Sequence, residues 1–296
     1  MKKCFTIGLA ALSLTTMCIA AGCNPAGENP GAITAAFTRP STSGTYGAFN
    51  ELIVNSEGKS IHEALNEDGL VFAACVQESK ETGTVVVDVS SNPQSLGYIS
   101  LGAVEANSSK IKAVKVNGVE ATVENIKSGD YQLARPFNFV YNTEKGLSDL
   151  AQNFIDFIES EQGQELVNRD YIAQVQTIKE YTPYAGDQKT LTLTGSTSVQ
   201  PLMREIITVY QQLNPTITIE CSGSGSGQGE SDAVAGNNDL GMISRELGEK
   251  YVQTLTAYTI ALDGIAVIVQ KDVALTNVTF DQIYKLYISG TPIPCE

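Results

Sequence analysis

Tryptophan is absent from this chain and histidine occurs once, at position 62. A Ser-His-Asp relay therefore has a single possible base, and His62 falls on the polar side of a predicted surface helix. Cysteine is scarce where a fold could use it. Of the six, Cys4, Cys18 and Cys23 lie near the amino terminus, leaving Cys75, Cys221 and Cys295. An odd number at wide spacing predicts neither a disulfide framework nor a metal site. Positive charge is also short, with 19 Lys and Arg against 33 Asp and Glu and a net charge of −14. Such a surface repels nucleic acid and anionic lipid. The serine-rich loops contain no G-x-x-x-x-G-K-[ST] element, no G-x-G-x-x-G element and no serine centred in G-x-S-x-G. Nucleotide P-loops, dinucleotide turns and nucleophile elbows are thereby disfavoured. The acids are scattered, with no pair suited to acid–base work. These absences point to a binder, not an enzyme, with no cofactor.

What is present begins with a leader. Lys2-Lys3 is followed by an apolar stretch and then Ala20-Ala21-Gly22-Cys23. This pattern is that of a secretory signal over residues 1–22, and it resembles a bacterial lipoprotein signal with a lipidated Cys23. Residues 23–32 form the lipidated end and a Pro/Gly tether. Loss of Lys2 and Lys3 with the leader makes the remainder more negative, so an anionic ligand needs local donors to hold it.

Such donors cluster in three loops. Arg39-Pro40-Ser41-Thr42-Ser43-Gly44-Thr45 offers one guanidinium and four hydroxyls. Ala48, Phe49, Leu52 and Ile53 follow at helical spacing, which places the stretch at a helix start, where N–H groups are unpaired and the dipole is positive. Gly195-Ser196-Thr197-Ser198-Val199-Gln200 and Ser222-Gly223-Ser224-Gly225-Ser226-Gly227-Gln228-Gly229 have the same character. A guanidinium, hydroxyls and helix N–H groups together suit a small tetrahedral oxyanion.

Strands are expected at 33–37, 96–101, 131–141, 190–194, 217–221 and 239–242. A further strand region at 258–270 is expected to break at Asp263-Gly264. Helices are expected at 61–77, at 147–167 with a break near 160–163, at 202–213, 228–235 and 279–288. Residues 84–89 read equally as strand or helix. Asn117-Gly118 predicts a hairpin between 111–116 and 119–123. Alternating strands and helices with ligand-type loops at strand ends define an α/β chain with crevice binding.

The runs Gly195 to Pro201, Ser224 to Gly227, Asp239 to Leu247 and Leu262 to Val269 resemble the amino-terminal half of the PstS-type phosphate-binding proteins of ABC importers. Residues 39–49, 96–101, 131–136 and 154–164 resemble their carboxy-terminal half. The halves stand in reversed order. The resemblance therefore implies a two-lobe, class II periplasmic-binding-protein-like fold in circularly permuted form; a fragment of a tandem protein is the alternative. It implies a split lobe (33–133 plus 259–296), a continuous lobe (134–258) and hinges near 133–134 and 259–261. By position it implies phosphate contacts from Arg39, Ser43, Gly44, Thr45, Thr197, Ser198, Ser226 and Ser244. Ser244 stands where many members carry an aspartate, and Ser41 where an acid often steadies the arginine. The implied partners are inorganic phosphate, the membrane permease subunits of an ABC importer and, through Cys23, the outer face of the membrane, with the protein a monomer. Another oxyanion such as sulfate, or a phosphate-sensing surface protein, is the alternative reading.

Overall fold

The computed structural model describes residues 31–174 and 177–295. The expected leader, Cys23 and nearly all of the tether lie outside the described residues. Among those described, no helix is long and apolar enough to cross a membrane.

Ten strands form one mixed sheet. Its main path runs Thr218–Gly223, Thr190–Gly195, Leu240–Ile243, Ala134–Asn142, Leu255–Gln270, Ser95–Ser100, Ala35–Thr38 and Val76–Glu78. The two ends of this path are parallel. Thr190–Gly195 pairs in parallel with both of its neighbours, and so does Ala35–Thr38. Parallel neighbours need a crossover, and helices supply it: Gly44–Leu52, Thr82–Ser91, Gln200–Leu213 and Ser226–Ala235 each return the chain to the next strand start. The middle is antiparallel. Leu255–Gln270 pairs with Ala134–Asn142 from Leu255↔Asn142 to Gly264↔Ala134, then with Ser95–Ser100 from Ile265 onward.

Two large apolar cores flank this central pair. One gathers Ile33, Phe49, Tyr98, Leu133, Val267 and Tyr287; the other gathers Phe139, Phe154, Leu193, Ile206, Tyr210 and Ile260. The two ends of the described chain meet beside the first core, where Ala32 and Ile33 pair antiparallel with Pro294 and Ile293.

Several expectations are corrected by the structure. The helix expected over 61–77 covers only Ile61–Asn66. Ser60 and Glu63 form a capping box at its start, but Asn66-Glu67-Asp68-Gly69 is poor helix sequence, and Gly69 takes a positive φ of 66°. Phe72 and Cys75 reach the core from irregular chain instead. The hairpin at Asn117-Gly118 shrinks to a single bridge between Val116 and Val119, although both turn residues have the positive φ that the dipeptide favours. Its arms are claimed by other partners: Ile111–Ala113 joins Leu255–Gln270, and Lys115–Val116 joins Asn277–Val278. The break expected at Asp263-Gly264 is not made, and Leu255–Gln270 runs through as one 16-residue strand. Gly264 is there for space. A Cβ would lie 2.5 Å from Ile126 Cδ1, a reason for a strand glycine that composition cannot show. The ambiguous stretch 84–89 is helix, within Thr82–Ser91. The helix at 147–167 does break where expected, into Asp149–Ile158 and Glu161–Asp170, with Ser160 capping the second.

Candidate anion-binding site

The strands aim their carboxyl ends at one crevice. Thr38 leads directly to Arg39, Glu78 to Lys80 and Thr82, Gly195 to Ser196–Ser198, Gly223 to Ser226, and Ile243 to Ser244. This is the general placement of ligand sites in α/β sheets. Four helices begin at the same place: Gly44–Leu52, Thr82–Ser91, Gln200–Leu213 and Ser226–Ala235. The first amides of each lack an intrahelical acceptor. Ser43 caps the first helix by position only, its hydroxyl making no cap bond, and Gly225 enters the last with φ of 95°.

Arg39 is 2% exposed. Its Nη2 donates to Thr197 Oγ1 at 3.0 Å and to the Lys80 carbonyl at 3.2 Å, and its Nη1 donates to Thr82 Oγ1 at 3.3 Å. Its Nε has no partner. Its backbone N–H donates to Tyr98 Oη at 3.1 Å, which also bonds Thr38 Oγ1 at 2.9 Å; the Tyr98 ring stacks on Phe49. Burial pulls the guanidinium's pKa down to about 10, which still leaves it charged at neutral pH.

Two other arginines stand nearby, and both are neutralised. Arg135 pairs with Asp263 at 3.0 Å, and Arg245 with Glu230 at 2.7 Å. Burial lowers the proton affinity of Arg135 and raises that of Asp263, each against the pull of its partner. Arg39 has no carboxylate partner among the described residues. Ser41, two residues along, is exposed to solvent. A buried charge without a counter-charge is costly, so the site is arranged for an anion.

The remaining predicted residues close around the same point. Thr45 Oγ1 and Ser198 Oγ lie 3.0 Å apart. Ser226 Oγ accepts from Ser244 N at 3.1 Å and lies 3.5 Å from Ser244 Oγ. Gly227 N donates to Thr42 O at 3.0 Å. A Cβ on Gly44 would fall 2.5 Å from Ser226 Oγ and 2.7 Å from Ser244 Oγ, so glycine lets the two sides meet. Arg39, Ser43 and Thr197 also line a cleft of about 340 Å³ that opens outward past Lys80, Glu81 and Ser224.

Sequence reasoning missed Thr82, Ser196 as a bonding partner, Arg135 and Asp263. Thr82 stands beside a stretch whose local pattern fits strand and helix equally. Arg135 and Asp263 are 128 residues apart, and no local pattern pairs them. His62 is exposed and bonded to the Asn66 side chain, outside this cluster. Cys75, Cys221 and Cys295 are free thiols.

The two-lobe α/β fold with a donor-lined crevice at its strand ends defines a substrate-binding protein of the periplasmic-binding type. Residues 26–162 and 182–292 match the PBP superfamily domain model. The phosphate-binding protein PstS 2 of Streptococcus agalactiae serotype V is 34% identical, over 98% of this chain and 97% of that one. PstS 2 of Streptococcus pneumoniae TIGR4 is 35% identical, over 84% of this chain and 82% of that one. A crystal structure of a phosphate ABC transporter phosphate-binding protein from the same pneumococcal strain superposes with a TM-score of 0.63 at 34% identity, covering 88% of this chain and 98% of that one. The chain belongs to the PstS-type phosphate-binding family of the PBP superfamily.

Proposed function

We propose that this protein binds inorganic phosphate between its lobes and hands it to an ABC importer at the outer face of the membrane. The observation that carries the reading is Arg39, a buried cation whose protein partners are hydroxyls and a carbonyl, among residues supplied by four helix starts. A tetrahedral anion supplies the missing counter-charge and accepts the outward donors. The names of the relatives point to the same ligand. Arg39 would face the anion directly, with Ser43, Gly44, Thr45, Thr197, Ser198, Ser226 and Ser244 contributing hydroxyls and amides. Binding without turnover is part of the proposal, as is anchoring through a lipid on Cys23.

We also propose that residues 33–133 plus 259–296 and residues 134–258 move as two bodies. Their separate cores support this, as does the register shift between Thr259 and Ala261 in the long crossing strand. Circular permutation remains part of the reading. The pairing of residues 32–33 with 293–294 would let the ends be joined at little cost. The test is calorimetry and thermal shift of residues 24–296 against phosphate, sulfate, molybdate and arsenate. Saturable phosphate binding with a rise in Tm is expected, and no shift with any of these anions would refute the reading.

A further inference from the structure

The hydroxyls at the site form a chain anchored at one end by a buried ion pair. Arg135 lies fully buried on the crossing strand Ala134–Asn142. Its Nε and Nη2 donate to Asp263 Oδ2 at 3.2 and 3.0 Å, and Asp263 Oδ1 accepts from Ser100 Oγ at 2.8 Å. The remaining nitrogen, Nη1, donates to both the carbonyl and the hydroxyl of Ser244, at 3.3 Å each. Ser196 Oγ donates to the same hydroxyl at 2.9 Å. A hydroxyl oxygen accepts two hydrogen bonds and donates one, and a guanidinium only donates. Both acceptor positions of Ser244 Oγ are therefore filled. Its own proton must point onward, to Ser226 Oγ or to a bound anion. Ser226 Oγ already accepts from Ser244 N. Taking the Ser244 proton as well would turn its hydrogen outward too.

We infer that Arg135, together with Ser196, is a positioning residue that sets ligand specificity: by filling the acceptor positions of Ser244 the two hold it as a hydrogen-bond donor. The site then recognises the unprotonated oxygens of a tetrahedral dianion and offers no acceptor at Ser244 for a proton carried by the ligand. Sulfate belongs to that ligand class as fully as hydrogen phosphate does. A carboxylate at position 244 would act in the opposite sense, accepting a P–OH proton and repelling an anion that has none. The inference rests on the oxyanion reading above and deepens it. A purely structural Arg135 would alter phosphate and sulfate affinity together, whereas a donor-setting Arg135 alters their ratio.

The experiment is competition calorimetry of sulfate against phosphate on residues 24–296. Wild type is expected to bind sulfate within about tenfold of phosphate. Ser196→Ala removes one incoming donor and leaves the ion pair intact. Arg135→Met with Asp263→Asn removes the other donor without stranding a buried charge. Each frees one acceptor position on Ser244 and should move the ratio toward phosphate by about fivefold, the worth of one hydrogen bond. Ser244→Asp should move it by more than about 100-fold. A wild type that binds phosphate but excludes sulfate, or a ratio unchanged in both the serine and the paired variant, overturns this inference and leaves the phosphate reading standing. A wild type that binds neither anion overturns both.

Discussion

Arg39 and Arg135 are equally buried, yet they sit in opposite electrical settings. Arg135 lies on the central strand pair and meets a carboxylate from the neighbouring strand. Arg39 lies at the mouth of a strand and meets hydroxyls, a carbonyl and helix amino ends. The protein bears the desolvation cost in both places. At Arg135 the counter-charge is built in, so the gain is a fixed joint between the two halves of the sheet. At Arg39, on the function proposed above, it is left to the ligand, so the gain arises only on binding. Arg245, held by Glu230, follows the first pattern and lies next in sequence to Ser244. The lack of a built-in carboxylate partner is what singles out Arg39, of these three arginines, as the proposed anion contact.

This contrast can be broken by substitution. The largest effect is expected from Arg135→Ala, which strands Asp263 in the sheet. Urea denaturation of the ligand-free protein should show a loss of about 3–5 kcal/mol. A loss under about 1 kcal/mol would mean the pair is not the joint described. Next is Arg39→Met. Phosphate affinity should fall at least about 100-fold, or about 2.7 kcal/mol, while ligand-free stability stays level or rises because an uncompensated charge is gone. If the variant instead melts like Arg135→Ala, the two arginines do not differ in kind.

Gly44→Ala sharpens the comparison from the backbone side. Alanine in the first turn should favour the helix by up to about 1 kcal/mol. Its methyl would nonetheless strike Ser226 and Ser244. The expected result is a lowered Tm without ligand, because these contacts are already made in that state, and phosphate binding weakened about tenfold; an unchanged Tm and equal affinity would show that the sides do not close on this glycine. The smallest effect is expected at Thr82→Val, which removes one hydroxyl from Arg39. A loss of about 1 kcal/mol in binding, roughly fivefold, should appear in calorimetry. A loss as large as that at Arg39 would make Thr82 a primary ligand contact.

Much of the proposed site is legible in the order of residues alone. Arg39, Ser43, Thr45, Thr197, Ser198 and Ser226 sit in loops whose composition advertises donors at helix starts, and such signals are local. The fold brings these loops together, with Arg39 on Thr197 and Thr45 on Ser198. Local patterns mislead where tertiary partners compete with local preference. Ile61–Asn66 stops early at Asn66-Glu67-Asp68-Gly69, and Leu70 and Val71 beyond it are left exposed. The Asn117-Gly118 turn keeps its dihedrals but loses its hairpin to strands from elsewhere.

By itself, the sequence determined the alternation of strand and helix and the chemistry of the loops between them. Backbone preference and side-chain type act within a few residues, so they can be read in order along the chain. Only the tertiary structure decided which arginine receives a carboxylate, which hydroxyl donates and which glycine admits a neighbour. Those outcomes depend on pairings between residues of different elements, up to 128 positions apart for Arg135 with Asp263, and on distances that folding alone sets.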